Sequence, residues 1–273
     1  LGKPRSLRVS GSVARITFSW KSPEVKAVLA EGQFDVVHLH EPLMPLLPYH
    51  FLRYSSAVNV GTFHAFKEGG NRFYEYTTAL TRRWFRKLEG KIAVSPAAAG
   101  LITRYFAGYF NIIPNGIDFA PYEKPVPVQR SEVGIPHDAV VCLYVGRLSP
   151  EKNLSFLLRA FFGVAGACEH AHLVLIGGGP DQEDLLDMVE HSPFANRIHF
   201  LGKVLPERVP SYLLLGDLFV SASNTEVHPF SLIEAMASGL PALGVDSPGV
   251  GDTITNEVDG LLTQLNLAAF TAA

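Results

Sequence analysis

Cysteine is scarce: Cys142 and Cys168 are the only two in 273 residues. Two cysteines do not make a disulfide scaffold, so a reducing compartment, the cytoplasm, is expected. Cys142 sits in an apolar run and reads as a small buried hydrophobe. Long apolar runs are also missing. No stretch approaches the ~20 residues of a spanning helix, and the first residues, Leu1-Gly2-Lys3-Pro4-Arg5, carry no apolar signal segment. Surplus positive charge is absent too. Lys and Arg number 23 against 26 Asp and Glu, a net −3, so no general basic field points to nucleic acid. Neither an Asp-x-Asp nor a Cys/His metal spacing occurs, so no metal is expected. There is no initiator Met and no clear stop at the carboxyl end; the chain reads as truncated at both ends.

What is present is ample apolar material, 47% hydrophobic against 18% charged. At ~150 residues per domain the length fits two domains. Short apolar runs at 34–39, 58–63, 91–94, 140–145, 172–176, 198–201 and 218–220 alternate with helical patterns. That alternation predicts an α/β fold: parallel sheets covered by helices, in two Rossmann-like domains facing a cleft. The Pro-rich, aperiodic stretch after Phe119 predicts a linker over 119–137, separating domains at 1–118 and 138–273. Ligands of open α/β sheets sit at the carboxyl ends of strands, which directs attention to the residues just after each run.

The first such segment is Gly146-Arg147-Leu148-Ser149-Pro150-Glu151-Lys152-Asn153. Gly146 permits a sharp turn, and Arg147 and Lys152 can place two cations on one anion. Asn153 is a good N-cap type, which would aim the positive end of a helix at the same place. Fixed positive charge of this kind suits a departing diphosphate. The second segment holds Glu226 and Glu234, separated by seven residues. Glu234 stands among Leu232, Ile233, Ala235 and Met236, and a half-buried carboxylate there needs a hydroxyl or cation partner. The bland alternative, one exposed Glu and one helix-start Glu favoured by the dipole, is equally compatible with the spacing alone. Gly177-Gly178-Gly179-Pro180 does not follow the dinucleotide pattern Gly-x-Gly-x-x-Gly, which disfavours a dehydrogenase.

Taken together, Gly146-Arg147, Glu151-Lys152-Asn153, Glu226-x7-Glu234-Ala235-Met236-Ala237 and Gly239-Leu240-Pro241 resemble the retaining family-4 glycosyltransferases of the GT-B fold. Gly11-Ser12-Val13-Ala14-Arg15, His38-x-His40-Glu41-Pro42, Thr62-Phe63-His64-Ala65 and Pro114-Asn115-Gly116-Ile117-Asp118 are similar to the phosphatidylinositol mannosyltransferases and related lipid hexosyltransferases within that family. The resemblance implies a nucleotide-sugar donor, a GDP- or UDP-hexose, as substrate, with no cofactor. It implies that Gly146, Arg147 and Lys152 hold the donor diphosphate and that Glu234 binds ribose hydroxyls. Glu226 would bind the sugar, and the loop with His228, Pro229, Phe230 and Ser231 would cradle sugar and phosphate. The base would lie near Val204. His64, with Arg15 on the acceptor side, would stand across the cleft beside the transferred sugar. The catalytic group expected on this basis is His64, Arg147, Lys152 and Glu226, with the leaving phosphate taking the acceptor proton. Val227-His228-Pro229-Phe230 departs from the family's aromatic-Gly pattern in that loop.

Between Lys67 and Lys91 seven basic residues face three acidic ones, interleaved with Phe73, Tyr74, Tyr76, Trp84 and Phe85. A basic, aromatic amphipathic helix suits an anionic membrane surface, so peripheral binding at the inner face of the plasma membrane is expected. Arg82, Arg83, Arg86 and Lys87 would form the charged stripe, with Trp84 and Phe85 entering the headgroup boundary. An ordinary solvated helix face remains the alternative.

Overall fold

The structure is a computed structural model. It describes residues 4–9, 12–17, 22–44 and 47–273, with side chains from residue 23 onward. The backbone separates into two compact units, Leu1–Asn115 and Gly116–Ala273.

In the first unit, β1 (Pro4–Val9) pairs antiparallel with β2 (Ser12–Thr17), from Pro4 opposite Thr17 to Val9 opposite Ser12. Apolar and polar residues mingle along both strands, so a scan for continuous apolar runs passes over them. Then come α1 (Ser22–Gly32), β3 (Val36–His40), α2 (Leu47–Tyr54), β4 (Val58–Phe63), α3 (Arg72–Phe85), β5 (Gly90–Ala93), α4 (Pro96–Thr103) and β6 (Asn111–Ile112). Strands β3-β4-β5-β6 form one parallel sheet in that order. Asn71 starts α3 by accepting a hydrogen bond from the Phe73 N–H at 3.0 Å. Ser95 caps α4 in the same way, with Pro96 at the first helical position. Aromatic rings fill this core: Phe63 meets Phe110 edge-on, and Phe85 stacks on Phe106 at 4.8 Å.

That packing corrects the expected membrane stripe. Trp84 and Phe85 are buried, so neither can enter a lipid headgroup layer. The Lys87 ammonium donates to the carbonyls of Leu52 and Ser55 at 2.7 and 2.9 Å, closing the last turn of α2. The exposed face of α3 instead carries Arg72, Phe73, Tyr76, Leu80, Arg82, Arg83 and Arg86.

The second unit opens with α5 (Ala120–Glu123) and a 3-10 turn, Arg130–Val133, inside the stretch expected to be a linker. Tyr122, Val133 and Ile135 from that stretch pack into this unit's core. The sheet strands are β7 (Val140–Val145), β8 (Ala171–Ile176), β9 (Ile198–Gly202), β10 (Leu218–Ser221), β11 (Ala242–Val245) and β12 (Gly260–Thr263). The helices between and after them are α6 (Leu154–Ala167), α7 (Gln182–Glu190), α8 (Val209–Leu213), α9 (Phe230–Ala237) and α10 (Leu267–Ala272). All six strands are parallel, in the order β12-β11-β10-β7-β8-β9. Helices α6, α7 and α10 cover one face through Leu158, Phe161, Leu185 and Phe270. On the other face Leu232 and Ala235 of α9 meet Leu143, Val174 and Phe219. With both faces covered, every residue of β8 is buried, which is why residues 173–176 read as an apolar run.

The strand order has one reversal. The chain runs outward from β7 to β8 and β9, then returns to the other side of β7 with β10. The crevice at such a reversal, beyond the carboxyl ends of the flanking strands, is where open α/β sheets bind ligands.

Candidate functional site

The residues after β7 and after β10 meet at that reversal. After β7 the chain turns at Gly146, runs through a 3-10 turn, Pro150–Lys152, and enters α6. Asn153 precedes the helix with φ 52°, in the left-handed region, and its side chain makes no capping bond. The Lys152 ammonium donates to Glu226 Oε1. Ser223 Oγ donates to the same oxygen at 2.8 Å. Ser247 Oγ in turn holds the Ser223 carbonyl at 2.7 Å. Glu226 Oε1 is therefore occupied twice, while Oε2 makes no hydrogen bond among the described residues. The pair is largely shielded, with side-chain exposures of 20% for Lys152 and 14% for Glu226, so removing either partner would strand a charge in a poorly solvated place.

Arg147 is exposed, and among the described residues its guanidinium has no hydrogen-bond or ion-pair partner. Its carbonyl accepts from the Tyr144 hydroxyl at 2.9 Å. Burial, with Glu226 and Glu151 nearby, pushes the Tyr144 phenol up, so it stays a neutral donor. Ser149 Oγ donates to Glu151 Oε1 at 2.7 Å, while Glu151 Oε2 is buried without a partner among the described atoms.

Close backbone contacts lock this loop. A Cβ on Gly177 would come within 1.8 Å of the Gly146 carbonyl oxygen, and one on Gly179 within 2.0 Å of the Leu148 carbonyl. The Gly177-Gly178-Gly179 run, uninformative as a dinucleotide motif, thus supports the backbone of the cationic loop. Gly249, at φ 82°, does the same for the Glu226 loop, where a Cβ would lie 2.5 Å from the Glu226 carbonyl. Tyr122, Ser223 and Gly249 were not singled out from the sequence, and Gly177 and Gly179 were weighed there only as a dinucleotide motif.

Glu234 lies on α9, half-buried, and burial raises its carboxyl pKa while a hydrogen bond from the Tyr122 hydroxyl opposes the rise. The hydroxyl partner expected for this carboxylate is therefore, in this structure, a side chain. Pro229 immediately precedes α9 and is buried. Phe230 is exposed and Ser231 half-buried, and as the first residues of α9 they bring the positive end of the helix dipole to the loop. His228 is half-buried, and burial lowers its pKa against an opposing pull from Asp252. Val204, just past β9, packs against the core on the α9 face of the sheet.

In the first unit, His64 follows the carboxyl end of β4, beside β3. His40 Nδ1 and His64 Nε2 are 2.7 Å apart with their rings stacked. His38 Nε2 is 2.7 Å from Thr62 Oγ1. His38 and His40 share a face of β3, as their spacing predicts. Glu41 holds this arrangement, accepting from the His64 N–H at 2.6 Å and from the Ala65 N–H, with Tyr74 as a further donor. Its own backbone is left-handed at φ 50°, an uncommon conformation for a non-glycine residue. Burial pushes the Glu41 carboxyl up, and it lowers the His64 and His38 imidazoles, helped by their neighbouring histidines. His64 is accordingly neutral near pH 7. Arg15 lies in β2, and its side chain is outside the described residues. Among the described residues no group of three or more His, Cys, Asp or Glu could hold a metal ion, and no helix is long and apolar enough to cross a membrane.

Residues 126–271 match the family model of the glycosyl transferases group 1, and residues 4–120 that of Glycosyltransferase Family 4. A phosphatidyl-myo-inositol mannosyltransferase of Mycobacterium leprae is 31% identical over 252 residues, covering 90% of this chain and 64% of that protein. An alpha-monoglucosyldiacylglycerol synthase of Streptococcus pneumoniae is 29% identical over 190 residues, covering 67% of this chain and 43% of that protein. The chain thus spans less than two thirds of the length of either relative. Anabaena HepE, solved with UDP and glucose, superposes with a TM-score of 0.73 at 20% identity, covering 92% of this chain and 70% of that one. Sucrose-phosphate synthase from Thermosynechococcus elongatus gives 0.74 at 21% identity, over 92% of this chain and 66% of that one. This chain belongs to the group 1 glycosyl transferases and has the α/β fold of the GT-B glycosyltransferases.

Proposed function

We propose that this chain serves a retaining hexosyltransferase that moves a sugar from a nucleotide-sugar onto a membrane lipid. The observation that carries the reading is the shielded Lys152–Glu226 pair beside the unpartnered Arg147, at the strand reversal of the second unit. Arg147 is the cation available to a diphosphate, and Lys152 is the second, held in place by Glu226. As the anomeric C–O bond breaks, negative charge builds on the departing diphosphate, and cations fixed beforehand stabilise it without reorganising. Glu226 Oε2 is offered to a sugar hydroxyl, and Glu234 to ribose in exchange for Tyr122. With Glu226 tied to Lys152 and Ser223, it orients the donor rather than attacking it as the nucleophile of a retaining glycosidase would. The leaving phosphate takes the acceptor proton, and side-chain cations carry the diphosphate without a metal. The first unit takes the acceptor, with neutral His64 donating or accepting a hydrogen bond to it.

The preferred donor and acceptor are GDP-mannose and a phosphatidylinositol, supported by the mycobacterial relative and by the motifs of the amino-terminal half. A second reading, UDP-glucose with diacylglycerol, is favoured by the streptococcal relative. Peripheral contact with an anionic lipid surface would use the outer face of α3, where Phe73, Tyr76 and Leu80 are exposed beside Arg72 and Arg83.

The test is a panel of GDP-mannose and UDP-glucose, each with phosphatidylinositol, diacylglycerol or no lipid, in the presence of a chelator. Free nucleotide released only with a lipid acceptor supports the reading, and the productive pair identifies donor and acceptor. Release indifferent to acceptor, or none with any pair while nucleoside diphosphates still bind, overturns it.

A further inference from the structure

The first unit has a concave basic site that the reaction does not use. A cavity of about 420 Å³ is lined by Arg82, Phe85, Arg86, Lys91, Phe106 and Gly108, with Ala107. Arg82 and Arg86 are one turn apart on the exposed side of α3, so both reach the same mouth. Among the described residues neither is paired with a carboxylate. Lys91 faces them from β5. Its ammonium donates to the Leu88 carbonyl and stands 5.2 Å over the Phe85 ring, which fixes it and leaves two N–H donors. Phe85 and Phe106 stack at 4.8 Å and are buried, giving a rigid apolar floor. The nearest acid in sequence, Glu89, is held by the backbone N–H of Asn59 at 2.8 Å.

This cavity is set back from His64 along the strands, on β5 beside β4. Lys91 pairs level with Gly61, three residues before His64, or about 10 Å along the strand direction. We infer that the cavity is a binding site for a phosphate-class oxyanion, a phosphomonoester or phosphodiester bearing a small organic group. Two guanidinium forks can pair with the oxygens of a phosphate, and a third cation suits more than one negative charge. The volume exceeds a bare phosphate, and the aromatic floor accepts carbon. A soluble phosphate ester and a phospholipid headgroup share this chemistry. The inference stands apart from the donor reading, because all of its residues belong to the first unit.

The experiment has two arms. In the first, glycerol 3-phosphate is titrated into the protein by calorimetry. In the second, the protein is sedimented with phosphatidylcholine vesicles with and without phosphatidic acid. Both arms compare the unaltered chain with Arg82→Gln/Arg86→Gln and with Gly108→Glu. A Cβ at Gly108 would lie 3.6 Å from Lys91 Cδ and from the Phe85 ring, an ordinary contact, so the glutamate fits and sets a carboxylate beside Lys91. Each variant should weaken binding by about tenfold or more, with melting curves unchanged. Loss in the first arm assigns a soluble ester, and loss in the second arm alone assigns a lipid headgroup. No binding in either arm, or binding equal in all three proteins, overturns the site. Nucleoside diphosphate binding is expected to be the same throughout, so failure here is separable from failure of the donor reading.

Discussion

The two units hold chemistry at the same topological address, the carboxyl ends of parallel strands, by different means. In the second unit the site is ionic. Lys152 and Glu226 come from opposite sides of the strand reversal, and three glycines pack backbone against backbone to hold their loops. In the first unit the site is a row of imidazoles, His38, His40 and His64, tethered by a buried carboxyl at Glu41. A multiply charged leaving group needs preorganised cations, whereas a neutral sugar hydroxyl needs a neutral partner that can donate or accept. That is the difference that the proposed donor and acceptor roles call for.

The comparison breaks hardest at the glycines. Gly177→Ala sets a methyl against the Gly146 carbonyl and cannot be relieved by a rotamer. It should cost about 2–4 kcal/mol in urea unfolding of the second unit, whereas Gly100→Ala in the first, with open space around it, should cost nothing measurable. Next, Arg147→Ala should weaken nucleoside diphosphate binding by about tenfold to hundredfold, the loss of one charge-assisted hydrogen bond of roughly 1.5–3 kcal/mol. Glu234→Ala should abolish discrimination between ribo- and 2′,3′-dideoxynucleotides, measured by calorimetry. His64→Ala should lower kcat while leaving nucleoside diphosphate affinity unchanged. The ring signals of His38 and His64 should titrate below the free-imidazole value of ~6.5 in NMR. Because the folded values lie below the unfolded one, the unfolded chain binds more protons between them. Their contribution to stability is present above ~6.5 and is lost as pH falls through the folded values. The smallest effect is at the surface: Leu80→Ser should change stability by under about 0.5 kcal/mol yet reduce sedimentation with anionic vesicles.

The parallel strands β3, β4, β5, β7, β8, β9 and β10 were legible as short, largely apolar runs, although of these only β8 is buried throughout and β3 alternates buried and exposed residues. Strands β6, β11 and β12 escaped. β6 has two residues, Ala242-Leu243-Gly244-Val245 carries a glycine, and β12 is only partly buried. Arg147 and Lys152 stood out as charges just after an apolar run, whereas the spacing of Glu226 and Glu234 left them open and their roles rested on the resemblance. Tyr122 was hidden in a Pro-rich stretch without periodicity, and the pairing of His40 with His64 depends on strand adjacency that no local pattern encodes. Trp84 was misjudged because a basic, aromatic helix can turn its rings either way. Here Trp84 turns inward, packing edge-on against Tyr49 and under Arg83.

The central claim, that the strand reversal of the second unit holds a nucleoside diphosphate through cations oriented by Glu226, has one direct test. GDP and UDP are titrated by calorimetry into the unaltered chain, Lys152→Met, Glu226→Gln and His64→Ala. The account predicts saturable binding of at least one nucleotide, weakened about tenfold or more in Lys152→Met, weakened less in Glu226→Gln, and unchanged in His64→Ala. Equal affinity in the unaltered chain and Lys152→Met, with both folded, would contradict it.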